Sequence, residues 1–274
     1  MTVSGMTGIY HIHSNYSYDG TNSLEEIADW ARAHGIRFVL LTEHDLGFDQ
    51  EKFDRYLFEC SKYRKDVLLV PGMEYEVIHR GGIIHIGAVG LPDLVQRSVL
   101  DKGIEPLVEK IHEKGGIAVL HHPSNIRRLL NKDDLKSFDF IEVWNTKFDC
   151  DFAPNGDFLE WLKRTWCGSC LVSADIHEVA RFDRKRIPRI ELSLDPERLE
   201  TSAIVDQLIN RMYRCLKGQW EFLPDGSCTS SRLIHRYLPE ICSVKKRIFR
   251  IARALVPEPY RKTVYKLVNR AWIR

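Results

Sequence analysis

Near-continuous apolar runs, IRFVLL, DVLLV, IAVL and CLVSA, recur along this chain between stretches of helical periodicity. A strand that is apolar at almost every position is buried on both faces, which requires helices on both sides of a parallel sheet. The intervening segments supply them. LEEIADWARAHG is opened by Ser23 and Glu26 as a capping box and closed at Gly35. EPLVEKIHEKGG and GDFLEWLKRTW follow, and a last helix is expected from about 197 to 217. GIYHIH, GGIIHIGAVG, FDFIEVWN and RIPRIELSL read as further strands. The alternation fits a barrel or an open sheet, and both collect function at the C-terminal ends of their strands. With 274 residues the chain can build one large α/β domain or two small ones.

Histidines and carboxylates accumulate at those strand ends. The first strand ends on His11 and His13, with Asp19 in the loop beyond. TEHD brings His44, PGMEY brings Glu74, IIHIG carries His85, VLHHP offers His121 and His122, and SADIH gives Asp175 and His177. Alternation along an extended segment predicts that His11 and His13 share a face, as do Asp175 and His177. Imidazole and carboxylate together suit zinc, manganese or iron, and no thiolate sits among them. Asp19, Glu74 and Asp175 carry −3 against +4 to +6 for two or three divalent ions, leaving a positive site for an anion such as a phosphate ester. Water on such ions is acidified to a pKa near ~7, so no serine or cysteine nucleophile is required. Ser14, Tyr16 and Ser17 are candidates to orient the ligands.

HIHSNYSYDG, LLTEHD, PGMEYE, IIHIG, VLHHP and SADIH, in that order, resemble the polymerase-and-histidinol-phosphatase (PHP) family from about residue 8 to 225. The resemblance implies a distorted (β/α)7 TIM-like barrel with two or three metal ions at the strand C-termini. It implies that His11, His13, Glu74 and Asp175 hold the ion whose hydroxide is catalytic. Glu74 would bridge to a second ion held by His85 and His122, and Asp19, His44 and His177 would hold a third. Because the family's ligand immediately precedes the proline, His122 is chosen, and His121 is expected to point the other way, into packing or toward a group that supports the ligands. All nine positions carry suitable ligands, which implies an active hydrolase. The expected reaction is hydrolysis of a phosphomonoester on a small molecule or nucleotide. The alternatives are a nuclease or phosphodiesterase, or hydrolysis of a non-phosphate ester. Arg127 and Arg181, in loops leaving two ligand-bearing strand ends, are the expected phosphate-binding residues; Arg128 and Arg184 lie beside them.

The rest of the sequence narrows the context. WCGSC at 166–170 has the spacing of a redox pair, but a helix precedes it and a strand follows. A helix-to-strand turn at Gly168 is therefore expected. Seven cysteines, an odd and scattered set in a chain whose first residues lack a leader pattern, argue against a disulfide framework and for a cytoplasmic location. The chain's +2 net charge hides an uneven split. Residues 232–274 hold 12 Lys and Arg against 2 acids, so the preceding 231 residues sum to −8. The chain thus divides into a metallohydrolase domain, 1–230, and a basic extension, 231–274, expected to be dispensable for catalysis. Val244, Ile248, Ile251, Ala252 and Leu255 share one helical face, and Tyr260, Val264, Leu267, Val268 and Trp272 repeat the pattern. An anionic membrane surface or nucleic acid is the partner expected of that extension, with the broad aromatic-bearing faces favouring the membrane.

Overall fold

The computed structural model describes residues 5–63, 66–182, 187–195, 197, 199–230 and 237–255. Its elements run β1 (Met6–Ile12), α1 (Leu24–Ala33), β2 (Phe38–Leu41), β3 (Glu43–His44), α2 (Gln50–Cys60), β4 (Leu68–Val70), β5 (Gly72–His79), β6 (Gly82–Val89), α3 (Arg97–Leu100), α4 (Ile104–Glu113), β7 (Ile117–Leu120), α5 (Pro123–Ile126), α6 (Lys132–Lys136), β8 (Phe140–Asn145), α7 (Gly156–Thr165), β9 (Ser169–Ser173), β10 (Arg189–Leu192), α8 (Thr201–Ile209), β11 (Tyr213–Lys217), β12 (Trp220–Phe222), β13 (Cys228–Ser230) and α9 (Leu238–Leu255). The capping box at Ser23 and Glu26 is formed, and α1 buries Leu24, Ile27, Ala28 and Ala31 against the sheet.

The fold is mixed α/β, but its hydrogen-bonded ladders do not draw the expected continuous barrel. They form two sheets, β13-β12-β11-β10-β1-β2-β4 and β3-β5-β6-β7-β8-β9. The sheets meet where the chain steps from β2 to β3 through Thr42 and from β4 to β5 through Pro71. They meet again where Ile12 bridges Ile176 just beyond β9. Nor is the arrangement wholly parallel, because β6 runs antiparallel to both β5 and β7. The cause is local. His79 pairs with Gly82 around the two-residue loop Arg80-Gly81, where both residues have positive φ (46° and 76°), the conformation that favours a tight hairpin.

The expected helix over 197–217 is also corrected. α8 ends at Ile209, Arg211 takes a left-handed φ of 58°, and Tyr213–Lys217 forms β11. Tyr213, Cys215 and Lys217 are buried while Arg214 is exposed, the two-residue period of a strand. Residues 166–168 of WCGSC form the turn between α7 and β9, Ser169 and Cys170 open β9, and all seven cysteines are free. Among the described residues no helix is long and apolar enough to cross a membrane.

Within the extension, Leu238–Leu255 forms the helix α9. Cys242 and Ser243 are buried, and Lys246 and Arg247 pair with Asp149 and Asp157 of the body. Val244, Ile248 and Ile251 are exposed. The second amphipathic stretch, including Tyr260, Val264, Leu267, Val268 and Trp272, and the preceding Arg184, lie outside the described residues.

Candidate metal centre

The nine predicted side chains converge. His11 is on β1 and His13 directly after it; His44 ends β3; Glu74 and His85 sit on the paired strands β5 and β6; His122 follows β7; Asp175 and His177 follow β9. Glu74 lies at the middle. Its carboxylate is 3.5 Å from His11 Nε2 and from His13 Nε2, 3.2 Å from His44 Nδ1, 3.1 Å from His85 Nδ1 and 3.3 Å from His122 Nε2. Asp175 Oδ1 is 3.6 Å from His11 Nε2 and 3.4 Å from His13 Nε2. Asp19 is 3.4 Å from His44 Nε2 and 2.9 Å from His177 Nε2.

These spacings fit shared cations. Two donors each about 2.0–2.2 Å from one ion lie roughly 3–3.5 Å apart at tetrahedral to octahedral angles. His11 Nε2, His13 Nε2, His44 Nδ1 and Asp175 Oδ1 are buried without a hydrogen-bond partner, an expensive state for polar atoms that a bound cation relieves. Three overlapping groups keep their donor atoms within 4.8 Å of one another: His11, Glu74, His121 and His122; His13, Asp19, His44 and His177; and His11, His13 and Asp175.

The backbone is bent to achieve this. His11, His122 and Asp175 all have left-handed φ (67°, 30° and 51°), a conformation that costs side-chain-bearing residues on the order of 1–3 kcal/mol each. It persists because neighbours fix it: Ile176 N–H donates to His11 C=O and His13 N–H to Ile176 C=O. Strict alternation therefore does not hold here. The register against β2 shifts between Tyr10 and Ile12, so Tyr10 and His11 both reach the cluster.

The same bend corrects the expectation for His121. It does not point away. With His122 left-handed, both imidazoles turn inward, and His121 stacks on His11 at 3.9 Å. Its Nδ1 donates to Glu74 Oε1 at 2.7 Å, and its Nε2 accepts from the Tyr10 hydroxyl. Gly87 makes room for this pair, since a Cβ there would lie 2.2 Å from His121 Nε2.

Two buried carboxylates went unrecognised in the sequence. Glu142, in the middle of β8, accepts from His11 Nδ1 at 2.7 Å, from the His122 N–H at 2.7 Å and from Asn145 Nδ2 at 3.1 Å. Burial acts to raise its pKa, but His11 and His121 prevail and hold it down at about 2. At His11, burial opposes charge, yet Glu142, Asp175 and Glu74 raise its pKa well above the ordinary value. His13, more completely governed by burial, is pushed down to about 3. Glu43, on β3 facing the first loop, accepts from the Ser14 N–H at 3.0 Å and from the Ser17 hydroxyl. Ser17 lies 3.4 Å from His13 Nδ1 and accepts from the His44 N–H at 2.9 Å, so it orients two histidines. Tyr16 instead packs against Tyr56 and Phe48.

A cleft of about 490 Å³ opens over one side of the cluster, lined by Asp19, Lys147, Asp175, His177 and Arg181 among others. Lys147, also missed in the sequence, places Nζ 3.1 Å from Asp175 Oδ2. Arg181 stands at the rim, paired with Glu178. Arg127 is not brought to this cleft. The turn after His122 continues into α5, and the Arg127 guanidinium lies over the Trp161 ring at 5.3 Å, in a separate cleft beside α9.

No match is found among curated proteins. Two solved structures are similar to the chain, each with a TM-score of 0.44 and covering 62% of this chain and 87% of its own. One is a protein of Bifidobacterium adolescentis provisionally described as a metal-dependent phosphoesterase, 15% identical. The other is an amidohydrolase of Chromobacterium violaceum with bound sulfate and no metal, 16% identical. The PHP domain model matches residues 10–175. That span starts on β1 beside His11 and ends on Asp175, enclosing eight of the nine cluster residues with His177 two residues beyond, and by that match the chain belongs to the PHP domain family.

Proposed function

We propose that the chain is a metal-dependent phosphomonoesterase acting on a small-molecule or nucleotide phosphate. The observation that carries this reading is the set of buried, unpartnered nitrogen and oxygen atoms gathered around Glu74 and Asp175. His11, His13, Glu74 and Asp175 would hold one ion; Glu74, His85 and His122 a second; Asp19, His44 and His177 a third. Such ions supply an acidified water and positive charge opposite the phosphate oxygens.

The chain's own residues then divide the remaining work. Glu142 fixes the ring plane of His11 and directs its Nε2 inward, and His121 does the same for Glu74. Asp19, Glu74, Glu142 and Asp175 together carry −4 at the centre, so two divalent ions only neutralise these four. Lys147 at its edge restores a positive charge next to the cleft, where its ammonium can donate to a phosphate oxygen. Arg181 offers a second cation at the rim.

Nitrophenyl phosphate, nucleoside monophosphates, bis-nitrophenyl phosphate, single-stranded DNA and a nitrophenyl carboxylic ester, each incubated with manganese- or zinc-loaded protein, test this. Turnover of the monoesters is expected, with KM raised severalfold in Lys147→Ala. Cleavage confined to the diester or DNA would replace this reading with a nuclease, and cleavage confined to the carboxylic ester with a different hydrolase.

A further inference from the structure

α9 reaches the candidate metal centre through a continuous line of hydrogen bonds. Lys246 Nζ donates to Asp149 Oδ1 at 2.7 Å, Ser124 Oγ at 2.9 Å and Asn125 Oδ1 at 3.1 Å. It thereby ties α5, which follows β7, to the loop that leaves β8. Ser124 Oγ itself donates to Asp149 Oδ1 at 2.8 Å, two residues beyond His122. Asp149 has a side chain only 2% exposed. Its other oxygen accepts from the Asn145 N–H at 3.2 Å, and its own N–H donates to the Asn145 C=O at 2.7 Å. Asn145 in turn donates through Nδ2 to Glu142, which accepts from His11 Nδ1 and the His122 N–H.

We infer that Lys246 is a positioning residue for the metal centre, so that the basic extension helps set the geometry of the site instead of trailing from it. This rests on the reading of the cluster as a metal site. A buried carboxylate deprived of its cation must find another partner or take up a proton, and either change moves what it holds. Here Asp149 holds Asn145, and Asn145 shares Glu142 with the ring and backbone of two ligand histidines. The inference also reverses the expectation that the extension is dispensable, because a chain ending near residue 230 lacks Lys246.

Arg247 supplies the control. It anchors the same helix through a two-pronged pair with Asp157, at 2.6–2.9 Å, but stands outside the line to Glu142. Metal affinity is measured by chelator competition on the full chain, together with the visible absorption of the cobalt-loaded protein. Lys246→Ala is expected to weaken metal binding about tenfold or more and to alter the cobalt spectrum. Lys246→Arg should recover most of the affinity, and Arg247→Gln should leave both readouts unchanged. Asn145→Ala cuts the line while sparing the Lys246–Asp149 pair, and should reproduce the loss even if Lys246→Ala fails to fold. Wild-type affinity in Asn145→Ala, or an equal loss in Arg247→Gln, would overturn the inference, reducing Lys246 to a helix anchor. A wild-type chain that binds no metal would instead remove the reading on which it rests.

Discussion

Glu74→Gln is expected to abolish metal retention and to lower kcat/KM by about three orders of magnitude or more. The carboxylate stands between six imidazoles, those of His11, His13, His44, His85, His121 and His122, and is closer than 3.6 Å to each. Burial alone would raise its pKa, but His11 and His121 hold it well below the ordinary value, so it is charged across the working range. A glutamine keeps the volume and removes the charge. It also turns an amide NH2 toward nitrogens that either carry protons themselves or are meant for a cation. The loss is that of a metal's Lewis-acid contribution, several kcal/mol, at 1.36 kcal/mol per factor of ten. Metal content by elemental analysis, with steady-state kinetics, checks it. Near-wild-type turnover would show that Glu74 does not bridge the centre.

Glu142→Gln is expected to have the next largest effect, although Glu142 touches no candidate cleft. The amide would accept from His11 but face two donors, the His122 N–H and Asn145 Nδ2, with a donor of its own. A loss of 10–100-fold in metal affinity follows from freeing His11. Breaking a buried charged pair costs on the order of 3 kcal/mol of stability. The pH dependence distinguishes this from a packing defect. Glu142 is lowered in the folded chain from 4.5 to about 2. Its contribution is therefore complete above about pH 4.5 and is lost as pH falls toward 2. In metal-stripped protein the difference in Tm between wild type and Glu142→Gln should shrink as pH falls through that acid window. A difference that does not change with pH would assign the effect to packing.

Most of the nine side chains were legible because they stand at or near the end of an apolar run, where a histidine or acid has few structural uses, whereas Asp19, in the loop beyond β1, was legible only through the family resemblance. Glu142 was not, because one acid inside FIEVWN looks like the outward position of an alternating strand. Its partner, His11 Nδ1, is 131 residues away. His121 was misplaced because alternation was assumed through a residue whose φ is 30°. The antiparallel turn of β6 was signalled by HRGG, which favours a two-residue hairpin, but the apolar runs on either side suggested another parallel crossover. The strand at 213–217 was absorbed into a helix because the LIN-to-YRCLK boundary carries no proline or glycine. The left-handed Arg211 does that work. Arg127 is carried away from the cleft and Lys147 to it for a related reason: loop direction after a strand end is set by local backbone, which spacing does not encode.

The cluster around Glu74 and Asp175 is expected to hold divalent ions that the reaction needs. Elemental analysis of the purified chain, before and after chelation and coupled to nitrophenyl phosphate turnover, tests it most directly. At least two ions per chain are expected, with turnover lost on their removal and restored by manganese or zinc. A folded, metal-free chain that still hydrolyses the ester would contradict the account.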